Sequence, residues 1–366
     1  MHKVLVIGGY GFFGKRICME LLHNKSIHLL IGGRDLKKAQ AVIKELNLSI
    51  TQAIYLDIHA QKFDEFISAL NVDTIIHTAG PFQNQDYRVA LAAIQSGANY
   101  IDLADGRDFV CGITQLHELA VKNKVLVTSG ASSLPALSSA VVDKYLPKFQ
   151  HLDSIEHGIS SGARSPGIAT VRGIFSYCGK HFNRLKSGEI QSVRGWLDTR
   201  LVNFPKPLKW RLLGACDVPD LDLFPKRYST VRTVTFHAGF ASHIGHLVVW
   251  LGAQLVRFRI IKNLLFMAPI LHNISRVLEP VISDKGGMFV RLKGIGVNNQ
   301  FQELTWHLVA SNNHGPHIPC GAAIALTNKL ANQETKLVGA MPCLGLVTLE
   351  EYLSTLKSFS VQEFPA

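Results

Sequence analysis

Cysteine is scarce and scattered in this 366-residue chain: Cys18, Cys111, Cys178, Cys216, Cys320 and Cys343 lie far apart, and none forms a C-x-x-C pair. With no signal peptide ahead of the first apolar strand, the pattern predicts a reduced, cytoplasmic chain rather than a disulfide-stapled one. Also lacking is any run of about eighteen uncharged apolar residues, so no spanning helix is expected. The nearest approach, Leu247 to Leu271, is broken by Arg257, Arg259 and Lys262. It could lie on a membrane surface, but such a segment is more often a buried or dimer-interface helix. No tyrosine has a lysine four residues later, which excludes the acid–base pair of short-chain dehydrogenases. Hydrolase chemistry is not expected either. Internal repeats and low-complexity tracts are absent, and no basic tract interleaved with aromatics points to nucleic acid.

Acidic residues are outnumbered: 27 Asp and Glu face 38 Lys and Arg, a formal charge of +11. Such a surface attracts anions, of which a dinucleotide phosphate is one and a phospholipid surface another. Hydrophobic residues make up 47% of the chain and the mean hydropathy is +0.16, so large cores are expected, or apolar surface covered by a partner. The length suffices for two domains.

Lys3 to Arg16 is the most informative stretch. An apolar run, Val4 to Ile7, stops at glycines and reopens as an amphipathic segment, which reads as strand, tight turn and helix. Gly9, Gly11 and Gly14 give the spacing G-x-G-x-x-G: Gly9 for the tight turn, Gly11 for backbone approach to a pyrophosphate, Gly14 for close helix packing. Free N–H groups and the positive dipole end of the new helix would face the phosphates, so Gly9, Tyr10, Gly11, Phe12, Phe13 and Gly14 are candidate cofactor residues. After a second strand, Ile27 to Ile31, comes Gly32-Gly33-Arg34-Asp35. Arginine there can fork around a 2′-phosphate, where an acidic residue would take the ribose hydroxyls of NAD. Arg34 therefore favours NADP over NAD, and Asp35 reads as the N-cap of the next helix.

Farther on, Ala53 to Ile58 gives a third strand, with Asp57 a cofactor candidate near the adenine. Helix Gln61–Leu70 precedes a fourth strand broken by Gly80-Pro81, and ligands in open parallel sheets sit beyond such carboxyl ends. Ala79, Gly80, Pro81 and Phe82 would border the nicotinamide. Strands at Asn99–Leu103 and Lys124–Thr128, with a helix from Phe109 to Asn123 between them, complete six units and a doubly wound α/β sheet. A second, α+β domain is expected from residue 136 to 314, with strands at 154–160, 194–197, 228–239, 288–294 and 302–310. Residues 1–135 form the nucleotide domain, and 315–366, including an alanine-rich helix from Cys320 to Leu330, are expected to pack back on it. Cys216–Pro225 reads as a plain connector in preference to an ordered loop near the active cleft, and the residues after Phe359 as a loose tail.

Several of these segments carry a resemblance. Gly8–Gly14, Gly33-Arg34, Thr78–Gln83, Gly97–Leu103, Gly130–Leu137, Pro166–Thr170, Asp284–Met288, Trp306–Ala310 and Gly315–Pro319 together resemble the saccharopine dehydrogenase family, in its saccharopine dehydrogenase-like oxidoreductase branch. The resemblance implies an N-terminal Rossmann domain that binds NADP, a mixed second domain with substrate and dimer contacts, and hydride transfer to or from the carbon of a small molecule. It carries Gly9, Gly11 and Gly14 as the pyrophosphate turn, Arg34 as the 2′-phosphate ligand and Gly80-Pro81 as the nicotinamide-side loop.

Catalysis is written less plainly. Tyr100 and Asp102 sit at a strand's carboxyl end on one face and are the candidates for orienting or protonating substrate, set against a packing tyrosine and a turn cap. Arg107 could hold a carboxylate or serve as a surface ion-pair partner. His77, within an apolar strand, reads as a core histidine. His314-x-x-His317-x-x-Cys320, and His243-x-x-His246 with His237, mimic metal spacing, but no metal site is expected. A chain that binds NADP without catalysis and docks on a partner or an anionic membrane is the competing reading.

Overall fold

A computed structural model describes residues 1–83, 85–162, 167–270, 273 and 283–366, without the side chains of 169 and 170. Pro166 and the Ala169 and Thr170 side chains of one quoted motif, and Leu271 at the end of the apolar segment, therefore lie outside the described residues.

The first part of the chain alternates strand and helix. In order come β1 (His2–Ile7), α1 (Gly14–Leu21), β2 (Ile27–Gly33), α2 (Leu36–Glu45), β3 (Ala53–Tyr55), α3 (Phe63–Leu70), β4 (Thr74–His77), α4 (Arg88–Gln95), β5 (Asn99–Asp102), α5 (Arg107–Gly112), α6 (His117–Lys122) and β6 (Leu126–Ser129). The middle holds α7 (Ser138–Tyr145), β7 (Phe149–Ser160), α8 (Ile168–Tyr177), β8 (His181–Lys186), β9 (Glu189–Arg194), β10 (Arg200–Phe204), β11 (Lys209–Ala215), α9 (Asp220–Arg227), β12 (Thr233–Gly239), α10 (His243–Arg257), β13 (Gly286–Gly296) and β14 (Phe301–Ala310). Last come α11 (Gly321–Ala331), β15 (Gly339–Pro342), α12 (Leu349–Ser354) and β16 (Val361–Phe364).

These elements gather into two compact units, Met1–Leu137 with Pro319–Thr355, and Ser138–Ile318 with Leu356–Ala366. In the first, seven parallel strands run in the order β15-β6-β5-β4-β1-β2-β3. Val4, Leu5, Val6 and Ile7 are all buried, as a strand covered on both faces requires. The order reverses at β1, whose Ile7 pairs with Gly32 of β2 on one side and His77 of β4 on the other. That reversal is where a doubly wound sheet opens a crevice for ligand.

The second unit is built on a mixed sheet, β10-β11-β12-β7-β13-β14-β16, in which only β12 and β7 run parallel. β8 and β9 form a separate hairpin, and α7 and α9 pack against β13 and β12.

Several expectations are corrected. The nucleotide sheet has a seventh strand, β15, whose Gly339-Ala-Met-Pro342 carries no β-branched residue and holds its place through parallel pairing with β6. The helix expected over Phe109–Asn123 is broken into α5, a 3₁₀ turn at Ile113–Leu116 and α6. Within the supposed connector Cys216–Pro225, α9 begins at Asp220, a carboxylate with no solvent exposure that accepts from Ser138 Oγ and meets His157 Nε2 at 3.1 Å. The strand expected at 194–197 ends at Arg194, because Trp196 takes a left-handed backbone (φ 66°) while its indole stacks on Phe240. The tail is not loose: β16 pairs antiparallel with β14, and Trp306 Nε1 donates to Glu363 at 2.7 Å. Those last residues thus join the second unit, and only Pro319–Thr355 packs with the nucleotide sheet.

Candidate cofactor-binding site

The glycine turn follows β1 directly. Gly8, at φ +79°, makes the left-handed step, and its N–H donates to Gly32 at 2.8 Å. The tight-turn role assigned to Gly9 therefore belongs to Gly8; the doublet Gly8-Gly9 was the available sign that one glycine was to spare. Gly9 is needed for space, since a Cβ there would stand 3.0 Å from Ile31, 3.1 Å from the Val6 carbonyl and 3.2 Å from Cys18 Sγ. Gly14 is the most crowded, with a Cβ falling 2.3 Å from the Gly8 carbonyl and 2.7 Å from Thr78 Oγ1. Around Gly11 the only atom so placed is the Gly8 carbonyl, at 2.9 Å, which leaves its outer side open to a ligand.

Thr78 is a residue that the spacing argument passed over. Its hydroxyl donates to the Ile7 carbonyl at 2.9 Å, tying the end of β4 to the end of β1 beneath the turn. The helical ladder of α1 opens with Lys15 N–H donating to Gly11 at 3.1 Å. The amides of Phe12, Phe13 and Gly14 come before that bond, as the first donors of a helix do, the kind of end at which anions bind. Phe12 and Phe13 meet edge to face, and the Arg16 guanidinium lies 4.3 Å over the Phe12 ring, with its pKa lowered by burial.

At the end of β2, Arg34 is exposed and has no ion-pair partner among the described residues. Asp35 turns away: its carboxylate accepts the Lys38 amide at 3.1 Å and meets Lys38 Nζ, as an N-cap does. Those interactions hold it below the usual carboxylate range. Tyr10 braces this corner, its hydroxyl accepting the Asp35 N–H at 3.1 Å and its ring lying where a Gly33 side chain would be, 2.5 Å from the position of a Cβ. Asp57 accepts the His59 N–H and lines a groove of about 470 Å³ with Tyr55, Leu56, Phe63 and Phe66.

Across the crevice, the Ala79 and Pro81 carbonyls both accept from Gln85 Nε2, at 3.0 and 2.8 Å, so one side chain pins the loop around Gly80. Phe82 packs edge-on against His77. Tyr100 and Asp102 lie inward of this edge rather than on it. Tyr100 is 1% exposed and shares a 3.1 Å hydrogen bond with His77 Nδ1, and Asp102 has no exposure at all. Asp102 Oδ1 accepts from the Ala104 and Gly130 amides and from Ser129 Oγ, each at 2.9 Å. Burial outweighs those donors and lifts its pKa to about 6, while burial pushes His77 down to about 3. The alternation that puts both side chains on one face was legible; that this face turns into the core was not.

The metal-like spacings find other partners. His314 accepts the Ser360 amide, His317 stacks on Phe359 with ring centroids 3.7 Å apart, and His237 faces Asp198 at 3.4 Å. Among the described residues no cluster of three metal-ligating side chains occurs. Gly158–Gly162 does spell G-x-S-x-G, against the expectation that nothing hydrolase-like is present, but Ser160 is 1% exposed inside β7. A nucleophile elbow needs an exposed hydroxyl on a sharp turn.

Residues 4–144 match the family described as the saccharopine dehydrogenase NADP-binding domain. The matched stretch contains the glycine turn, Thr78 and Arg34, and the match supports NADP as the cofactor, with NAD possible. No curated protein matches the sequence. Among solved structures, the chain is similar to apo saccharopine dehydrogenase (L-Glu forming) from Saccharomyces cerevisiae, with a TM-score of 0.70 at 13% identity over 100% of both chains. It is also similar to an amine dehydrogenase from Mycobacterium smegmatis, with a TM-score of 0.51 at 9% identity over 94% of this chain and 95% of that one. At these identities the likeness is one of fold. Together the NADP-binding domain and the shared fold support an NAD(P)-dependent oxidoreductase.

Proposed function

We propose that the protein is an NADP-dependent oxidoreductase that moves hydride between the nicotinamide and an electrophilic carbon, an imine, enoyl or carbonyl carbon, of a small substrate. The observation that carries this reading is the division of labour after β2, where Arg34 is exposed and uncommitted while Asp35 is consumed as a helix cap. A ribose 2′-phosphate meets a cation there, and NAD finds no carboxylate for its hydroxyls.

When bound, NADP supplies the hydride chemistry. The chain's own residues then bind and orient. The Phe12, Phe13 and Gly14 amides take the pyrophosphate, Tyr10 steadies the corner that carries Arg34, and Asp57 borders the adenine side. Ala79, Gly80 and Pro81, held by Gln85, border the nicotinamide. Tyr100 and Asp102 act here as positioning residues: Asp102 fixes the backbone at Ala104 and Gly130, and neither side chain meets solvent.

Calorimetric titration with NADPH and NADH tests the reading, followed by NADPH oxidation across keto acids offered with amines. Removing one charge-assisted phosphate contact by Arg34→Ala should weaken NADPH binding by about tenfold or more and leave NADH nearly unchanged. Equal affinity for both coenzymes before and after the substitution would refute the phosphate assignment.

A further inference from the structure

The helix α10 is apolar on both sides. His246, Val249, Ala253 and Val256 form its buried face. Ile244, Leu247, Val248, Leu251, Leu255 and Phe258 recur at helical spacing on the opposite face, and all are exposed, Ile244 to 75% and Phe258 to 67%. Beyond the helix, Ile260, Phe266 and Ile270 are exposed as well, Ile260 to 67%. Contiguous apolar surface of this kind marks an interaction site.

Its charge says which kind. From Leu223 to Leu278 the sequence contains no aspartate or glutamate, whereas Arg257, Arg259 and Lys262 stand exposed among the apolar side chains. A second copy of the chain docked face to face about a two-fold axis would set these cations against a copy of the same segment, which carries no acid to answer them. An anionic bilayer has the opposite character, with acyl chains for the apolar face and phosphates for the guanidinium and ammonium groups at its edge. No helix of the described residues is long and apolar enough to cross a membrane, so the segment would lie in the interface.

We propose that the outer face of α10 and the turn after it dock this protein on anionic phospholipid membranes. The site lies in the second unit, far in sequence from the glycine turn, and lipid binding is measured separately from coenzyme binding. Flotation of the full chain with vesicles of phosphatidylcholine alone, or of phosphatidylcholine and phosphatidylglycerol in equal parts, is the test. Recovery with the anionic vesicles and not the neutral ones, falling as salt is raised, is expected. The variant Leu247→Asp/Leu251→Asp should lose binding. Arg257→Gln/Arg259→Gln/Lys262→Gln should weaken it at least about tenfold, three charges each contributing near the surface. Circular dichroism spectra and thermal unfolding midpoints matching those of the unmodified chain show that both variants fold. The proposal is overturned if the unmodified chain stays off anionic vesicles, if the variants float as well as it does, or if sedimentation shows a dimer that Leu247→Asp/Leu251→Asp splits, which would make a second copy the occupant.

Discussion

Gly14 illustrates how one missing side chain holds two elements together. A Cβ there would fall against the Gly8 carbonyl, the Gly9 Cα and Thr78 Oγ1, and the first two are backbone that cannot move without parting β1 from α1. Gly14→Ala is expected to abolish measurable NADPH binding and to lower stability by about 1–3 kcal/mol, the range for overpacking a tight contact, as read by urea unfolding. His77 and Asp102 are neighbours with opposite titrations. An imidazole held down to about 3 stays neutral in the fold but gains a proton on unfolding. The stability it secures is therefore complete above about pH 6.5 and lost as pH falls toward 3. A carboxyl lifted to about 6 does the reverse: its protonation favours the folded state, so its contribution is full below about pH 4 and lost as pH rises through 6. His77→Gln, which keeps a partner for the Tyr100 hydroxyl, should remove the first slope and leave the second. Urea midpoints of the variant relative to the parent are then expected to rise on acidification from about pH 6.5 to 4.5.

Short elements here depend on their ends. α12 has six residues, too few to stand alone. Thr348 and Glu351 close it with a reciprocal capping box: Thr348 Oγ1 accepts the Glu351 amide at 3.1 Å, and Glu351 Oε2 accepts the Thr348 amide at 2.9 Å. Glu351 also meets Lys329 of α11 at 2.8 Å, which joins the two helices. Thr348→Ala should cost about 1 kcal/mol, seen as a lower thermal midpoint with coenzyme affinity retained. The box was readable as Thr-x-x-Glu in the sequence. β15 and β16 were not, because four-residue strands carry too little periodicity to announce themselves and are selected by the strand edge they complete.

The chain leaves its first unit at Leu137 and returns at Pro319. Residues 1–137 alone would leave β6 without its β15 neighbour and would lack α11, whose Asn328 accepts from Asn24 at 3.0 Å and whose preceding Cys320 reaches the Phe13 carbonyl at the glycine turn. A polypeptide of 1–137 joined by a flexible linker to 319–355 should fold cooperatively by circular dichroism and bind NADPH. The 1–137 fragment by itself should do neither, since a nucleotide sheet with an uncovered edge and without the buried residues of α11 does not reach the stability a domain needs.

By itself the sequence determined the alternating apolar strands, the doubly wound unit, the glycine turn and the exposed cation after β2. Each is a local pattern in which a strand, turn and helix succeed one another within a few residues. Only the tertiary structure decided that Gly8 rather than Gly9 takes the left-handed turn, that Thr78 lies beneath it, and that Tyr100 and Asp102 face inward. Those outcomes depend on which strands become neighbours, through contacts such as Ile7 with His77 that span seventy residues. A residue's chemistry is written in its side chain, but its exposure is set by what the rest of the chain brings against it.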